Sequence, residues 1–225
     1  MWEAAWGVVW TKCYGEESTV SFVACFDHST LSSVLTLNRA LTDRYSAAGL
    51  RVYSRPDDGD VYADAVVATA TQKSADDEFQ PTLIVLGLRL GIEKINPIYY
   101  PALRSALESR FSVGIAGGRP SSSHYFIGHQ DDQFFYLDPH TTRPALPWQP
   151  SPEDVRTCHT RTVRRLAAAE MDPSMLLGFL VRTREEFKSW RAEQGKERPA
   201  IIHVHDRKLT NEVETWDEDS EASMG

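Results

Sequence analysis

Phe134-Phe-Tyr-Leu-Asp138-Pro-His140-Thr-Thr-Arg-Pro144 sets a carboxylate and an imidazole two residues apart, directly behind an alternating aromatic segment. Successive side chains of an extended chain point to opposite sides, so residues i and i+2 share a face. Read as a strand, the segment puts Asp138 and His140 on the face that carries Phe134 and Tyr136. Pro139 fixes its own φ and biases Asp138 toward extended geometry. A carboxylate that holds an imidazole in one tautomer is the orienting half of a nucleophilic triad. On spacing alone such a pair is more often a surface turn or a satisfied polar contact, so the flanking sequence decides.

Upstream, Gly114-Ile-Ala-Gly117-Gly118-Arg-Pro120-Ser-Ser-Ser-His124-Tyr-Phe-Ile-Gly128 predicts a Gly-Gly turn, a proline and a second alternating strand. Gln130 to Gln133, with Asp131 and Asp132 between them, reads as a short polar loop. Together these segments predict a β-hairpin whose far end carries Asp138 and His140.

Working outward, the chain reads as mixed α and β. Leu31, Val34, Leu35, Leu41 and Tyr45 recur at helical spacing, with Gly49 as C-cap. Leu50 to Tyr53 reads as a short strand, followed by a turn over residues 57–60. Thr82 to Leu88 is a continuous apolar run, expected for a strand buried on both faces. Asn96 followed by Pro97 is an N-cap with proline at the first helical position. The helix it starts turns Tyr99, Leu103, Ala106 and Leu107 inward and runs to about Ser109. Val113 to Ala116, His124 to His129 and Phe134 to Asp138 are expected as central strands, and Leu177 to Arg182 as another. Thr183 with Glu186 forms a capping box for a helix that buries Phe187 and Trp190 and stops at Gly195. Ala200 to His205 is expected as the last strand.

At 225 residues the chain is long enough for one domain with a sizeable core. Hydrophobic content of 41% and charged content of 25% are ordinary for such a domain. Three cysteines at irregular spacing argue against a disulfide framework and for a reducing compartment. The apolar run from Leu83 to Leu88 is far too short to span a bilayer. The net charge of −8 is uneven, because residues 206–225 hold seven carboxylates against Arg207 and Lys208. That acidic tail is expected to be disordered, and its sign argues against nucleic-acid binding.

The blocks GIAGGRPSSSHYFIG and FFYLDPHTTRPAL resemble the autophagy-related cysteine peptidases, papain-like enzymes that process a ubiquitin-like autophagy modifier. The resemblance extends through Pro81 to Tyr100, through Cys158-His-Thr-Arg161, and through Glu170-Met-Asp172-Pro173-Ser174-Met-Leu-Leu-Gly178-Phe. It covers roughly residues 39–205. It implies an α/β (α+β) papain-like fold, with residues 1–38 as an unmatched N-terminal segment. Residues 39–205 would be the C-terminal part of the catalytic domain, and 206–225 the tail. The implied activity is cleavage after a glycine near the modifier's C-terminus, together with release of the modifier from phosphatidylethanolamine. Asp138 and His140 would be catalytic, and Gly118, Arg119, Pro120 and Ser121 would form a regulatory loop over the active site. No cofactor and no metal is implied. The partner would be the modifier, free or lipid-conjugated, with membrane contact only through the lipidated substrate. The implied location is the cytoplasm, with the nucleus and the pre-autophagosomal structure as further sites.

One departure stands out. The family nucleophile is a cysteine in a Gly-Trp-Gly-Cys context, and the sequence contains no such tetrapeptide. Trp6-Gly7 is followed by Val8, Cys13 and Cys25 have other neighbours, and Cys158 matches a family position that is not the nucleophile. The chain is therefore expected to be a C-terminal portion of the enzyme, incomplete at its N-terminus, with a catalytically dead modifier-binding fragment as the alternative. A metal hydrolase using His140, Asp138 and the His203/His205 pair is a weaker reading, because no Cys-x-x-Cys or His-Glu-x-x-His frame accompanies them. The Gly114–Gly118 run lacks the Lys-Ser/Thr of a P-loop, and Ser121 to Ser123 lack a Gly-x-Ser-x-Gly elbow. Arg156, Arg161, Arg164 and Arg165 read as a solvated face, with docking of an acidic partner as the alternative.

Overall fold

The computed structural model describes residues 6–14, 18–26, 50–56, 58–72, 77–119, 122–138, 140, 151–157 and 160–207. The helix expected around Leu31–Tyr45 and most of the acidic tail lie outside them. Trp6–Tyr14 (β1) and Ser18–Phe26 (β2) form an antiparallel hairpin of their own, with Gly7 opposite Cys25 and Cys13 opposite Thr19.

A seven-stranded sheet organises the rest. Its strands are Arg51–Arg55 (β3), Thr82–Arg89 (β5), Ser112–Arg119 (β6), Ser122–Gln130 (β7), Gln133–Leu137 (β8), Arg164–Ala167 (β9) and Ser174–Val181 (β10). They run in the order β3-β5-β10-β6-β7-β8-β9. The apolar run 82–88 is buried throughout, as its composition demands, because β5 lies between β3 and β10 and is covered on both faces. β3 and β5 are parallel, which requires a crossover. Part of that crossover is the helix Ala63–Thr71 (α1), which buries Ala63, Val66 and Ala70. This helix is not anticipated by the sequence reading, although those three residues fall at helical spacing.

The helix predicted from Asn96 begins as a 3₁₀ turn over Pro97–Tyr99 and becomes α only at Tyr100–Glu108 (α2). Asn96 does cap it, its side chain accepting from the Ile98 N–H at 3.2 Å. Pro101 explains the tight start. It has no N–H to donate to the Pro97 carbonyl four residues back, so the Tyr100 N–H takes that carbonyl instead. Leu103, Ala106 and Leu107 are buried as expected, and Tyr99 is half-buried. Pro152–Arg156 (α3) is a short exposed helix ahead of β9.

The capping box holds in modified form. Thr183 Oγ1 accepts from the Glu186 N–H at 3.1 Å, and Glu186 reaches back to the Arg182 N–H at 2.7 Å. The helix Arg184–Glu193 (α4) then buries Phe187 and Trp190, which stack with ring centroids 5.9 Å apart. Replacing such a cap costs about 0.5–2 kcal/mol, and emptying a buried tryptophan site about 3–5 kcal/mol. Gly195, at φ 72°, terminates the element in the left-handed region that glycine tolerates. The expected last strand shortens to His203–His205 (β11), which pairs in parallel with Asp60–Tyr62 (β4) in a separate two-stranded sheet.

The expected Gly-Gly turn is corrected. Gly117 and Gly118 lie inside β6, paired with His124 and Ser123. Gly117 is favoured there by close approach, since a Cβ would sit 3.0 Å from Met175 Cβ on the adjacent β10 and Met175 would have to give way. The pairing continues to Arg119 and Ser122, so neither glycine is a turn residue. The second reversal is where the sequence puts it, at Asp131 and Asp132, with Asp131 at φ 51°. No helix among the described residues is long and apolar enough to cross a membrane.

Candidate active site

Asp138 and His140 follow β8 and meet as the spacing predicts, but not by strand alternation. The strand ends at Leu137, and His140 sits in a turn. Asp138 Oδ1 accepts the backbone N–H of His140 at 3.0 Å and contacts its ring Nδ1 at 2.7 Å. This is an aspartate side chain closing a turn on the residue two ahead. The turn brings carboxylate and ring together, whereas an extended chain would only have placed them on one face.

The carboxylate is electrostatically well defined. Partial burial pushes the Asp138 carboxyl up, but the bonds from the His140 backbone and ring outweigh that. With the charges of His140 and His124 beside them, they leave it below the ordinary carboxylate range. Asp138 is therefore ionised at neutral pH and can only accept hydrogen bonds. It follows that His140 Nδ1 carries the proton in this pair, and a neutral ring keeps its lone pair on Nε2. An imidazole protonated on Nδ1 can act as a general base through Nε2.

Two residues that the sequence reading did not assign to the site complete it. Arg164, on β9, places Nη1 3.3 Å from Asp138 Oδ2, so this member of the arginine cluster faces the site rather than forming only a solvated surface. His124, on β7, is buried, with its ring edge-on to Tyr136 at a 4.3 Å centroid separation and 5.6 Å from the His140 ring. Its placement follows from a bulge. Closing at Asp131–Asp132, the hairpin pairs Gly128 with Phe135, but past the irregularity at Phe126/Gly128 it pairs Phe126 with Tyr136 and Tyr125 with Leu137. One step further sets His124 opposite Asp138. Without the extra residue Tyr125 would occupy that place, because a one-residue slip exchanges the faces.

The other candidates are dispersed. His205 lies on the small sheet, its Nε2 2.9 Å from Asp60 Oδ1 and its ring stacked on Tyr62. Among the described residues, the grouping able to hold a metal draws in His124 rather than His203 or His205. Of the regulatory-loop residues, Gly118 and Arg119 end β6, while Pro120 and Ser121 lie outside the described residues. Cys13 and Cys25 fall on opposite strands of the β1–β2 hairpin, and Cys158 lies outside the described residues.

The mixed α/β architecture, with its seven-stranded sheet, is that of a papain-like peptidase. Residues 23–193 match the family described as the Peptidase C54 catalytic domain. The chain is 48% identical over 207 residues to a "Probable cysteine protease atg4" of Sclerotinia sclerotiorum, covering 83% of this chain and 46% of that protein. It is 51% identical over 172 residues to a protein of the same name from Aspergillus niger, covering 73% and 42%. A "Probable cysteine protease ATG4" of Phaeosphaeria nodorum is 38% identical over 237 residues, covering 80% and 50%. The chain belongs to the Peptidase C54 family. It spans about half the length of the curated relatives it matches.

Proposed function

We propose that this chain supplies the acid–base half of a cysteine endopeptidase acting on a ubiquitin-like autophagy modifier. The enzyme would cut after a glycine near the modifier's C-terminus and would also release the modifier from phosphatidylethanolamine. The observation that carries this reading is the 2.7 Å contact between Asp138 Oδ1 and His140 Nδ1 in a Peptidase C54 chain. In the proposed step His140 Nε2 takes the proton of a cysteine thiol, and the thiolate attacks the carbonyl after the glycine. Free cysteine, with a pKa of about 8.5, needs this partner to react at neutral pH. The imidazolium, held by Asp138, then protonates the leaving amine, and His140 activates water to hydrolyse the acyl-enzyme. Gly118 to Ser121 would gate access, which fits the position of Gly118 one residue from the pair Gly117–His124. The protein would work in the cytoplasm, reaching membranes only through its lipidated substrate.

A second reading is favoured by one observation, the lack of a Gly-Trp-Gly-Cys segment in the 225 residues. On that reading the chain binds the modifier without cutting it. Cleavage of a modifier extended beyond its glycine, followed by mass spectrometry, separates the two. A chain with a Gly-Trp-Gly-Cys segment ahead of these residues should cleave and should lose cleavage with His140→Ala. The 225 residues alone should not turn over. Undiminished cleavage in His140→Ala would sink the assignment, and loss of turnover in the 225 residues on Cys25→Ala would make Cys25 the nucleophile.

A further inference from the structure

His124, Asp138 and His140 each offer one donor atom, and these three atoms lie within 4.8 Å of one another. Two imidazoles and a carboxylate are a donor set used by three-ligand zinc sites, which leave a fourth tetrahedral position open. Donors at about 2.0–2.2 Å from a tetrahedral ion stand roughly 3.3–3.6 Å apart, so modest side-chain rotation closes this cluster on an ion. We propose that His124, Asp138 and His140 form a binding site for one divalent transition-metal ion of the Zn²⁺ type. The ion and the Asp138–His140 hydrogen bond would compete for the same groups.

The surroundings support a built site rather than a chance grouping. His124 is only 8% exposed and packs edge-on to Tyr136, so ordering this ligand costs little further entropy. Asp138 is oriented from outside by the His140 backbone N–H and by Arg164, the kind of outer contact that fixes metal ligands. Imidazole donors select zinc-like ions over Mg²⁺ and Ca²⁺, which take oxygen ligands. Arg164 opposes the ion electrostatically. Its side chain is 57% exposed and can swing into solvent, so it tunes affinity without blocking the site. In the peptidase proposed above, an ion that takes the Asp138 carboxylate and a His140 ring nitrogen would dissolve the Asp138–His140 pair on which the base depends, and Zn²⁺ would inhibit. That consequence alone rests on the catalytic reading, whereas binding does not.

Calorimetric titration of Zn²⁺ into the full chain, with Co²⁺ absorption as a reporter of coordination geometry, tests the site. One ion should bind with tetrahedral Co²⁺ bands, His124→Ala should weaken it roughly tenfold or more, Arg164→Gln should tighten it, and His205→Ala should change nothing. Because His124 is buried, the unsubstituted protein provides a second readout. Zn²⁺ should move the ¹⁵N ring resonances of His124 and His140 and leave those of His203 and His205 in place. Millimolar or weaker affinity, binding that follows Cys13, Cys25 and Cys158, or shifts confined to His203 and His205 would overturn the site. An ion bound at His124 and His140 that leaves cleavage intact would uphold the site and count against His140 as the base.

Discussion

Two Asp–His pairs of nearly equal length sit at different places in this chain. Asp138 and His140 close to 2.7 Å beyond β8, and Asp60 and His205 close to 2.9 Å across β4 and β11. The first has side-chain exposures of 23% and 33%, the second of 37% and 48%. The first uses Nδ1, whereas the second uses Nε2. The first carboxylate also receives a backbone N–H and an arginine, and a buried second imidazole stands beside it. An aspartate–histidine contact alone is therefore a surface polar contact of small consequence. The turn, the ring nitrogen used and the buried neighbour turn one of the two into a candidate catalytic pair.

The contrast breaks most readily in kinetics. In a chain that carries its nucleophile, His140→Ala should lower kcat/KM on the extended modifier on the order of 10⁴-fold or more, while His205→Ala leaves it unchanged. Equal losses from the two variants would erase the distinction. Asp138→Asn comes next, with a loss on the order of 10²- to 10⁴-fold in kcat from the wrong tautomer. Asp60→Asn should change kcat by less than a few-fold.

Stability against pH sharpens the comparison further. The folded state holds the Asp138 carboxyl below its ordinary value. Its stabilising contribution is therefore present above the unfolded pKa of about 4 and is lost as pH falls through the lower folded value. Thermal melts taken downward from about pH 6 should show an acid-dependent loss of Tm that Asp138→Asn reduces. A melt series unaltered by that substitution would show that the carboxylate gains nothing from its partners. The smallest effect belongs to Arg164→Gln, because an exposed pair contributes about 0–1 kcal/mol. It should leave Tm nearly unchanged and alter kcat by a few-fold at most.

Much of this contrast is legible in the sequence, though not all of it. The Asp138-Pro-His140 spacing, the reversal at Asp131–Asp132, the buried run 82–88 and the Thr183/Glu186 cap are local features, and local physics fixes them. His124 is not legible, because its place opposite Asp138 depends on a bulge one residue long. Gly128 is the kind of strand glycine that accompanies bulges, but it does not fix which neighbour is the extra residue or that the register shifts by one. Arg164 is hidden for a different reason. It reaches Asp138 only because β9 pairs with β8, a non-local contact made by a short strand whose Arg-Arg-Leu-Ala sequence has no strong alternation. Gly117 and Gly118 mislead because paired glycines signal turns, whereas Gly117 serves the approach of β10. The α1 helix is masked by β-branched valines and threonines that propensity assigns to strands.

Asp138 holds His140 in one tautomer, with the proton on Nδ1. Long-range ¹H–¹⁵N correlation spectroscopy of the histidine rings near neutral pH measures this directly. The His140 ring should show a protonated, hydrogen-bonded Nδ1 and an unprotonated Nε2, and should lose that state in Asp138→Asn. A His140 ring protonated on Nε2 with a bare Nδ1, or one indifferent to Asp138→Asn, would contradict it.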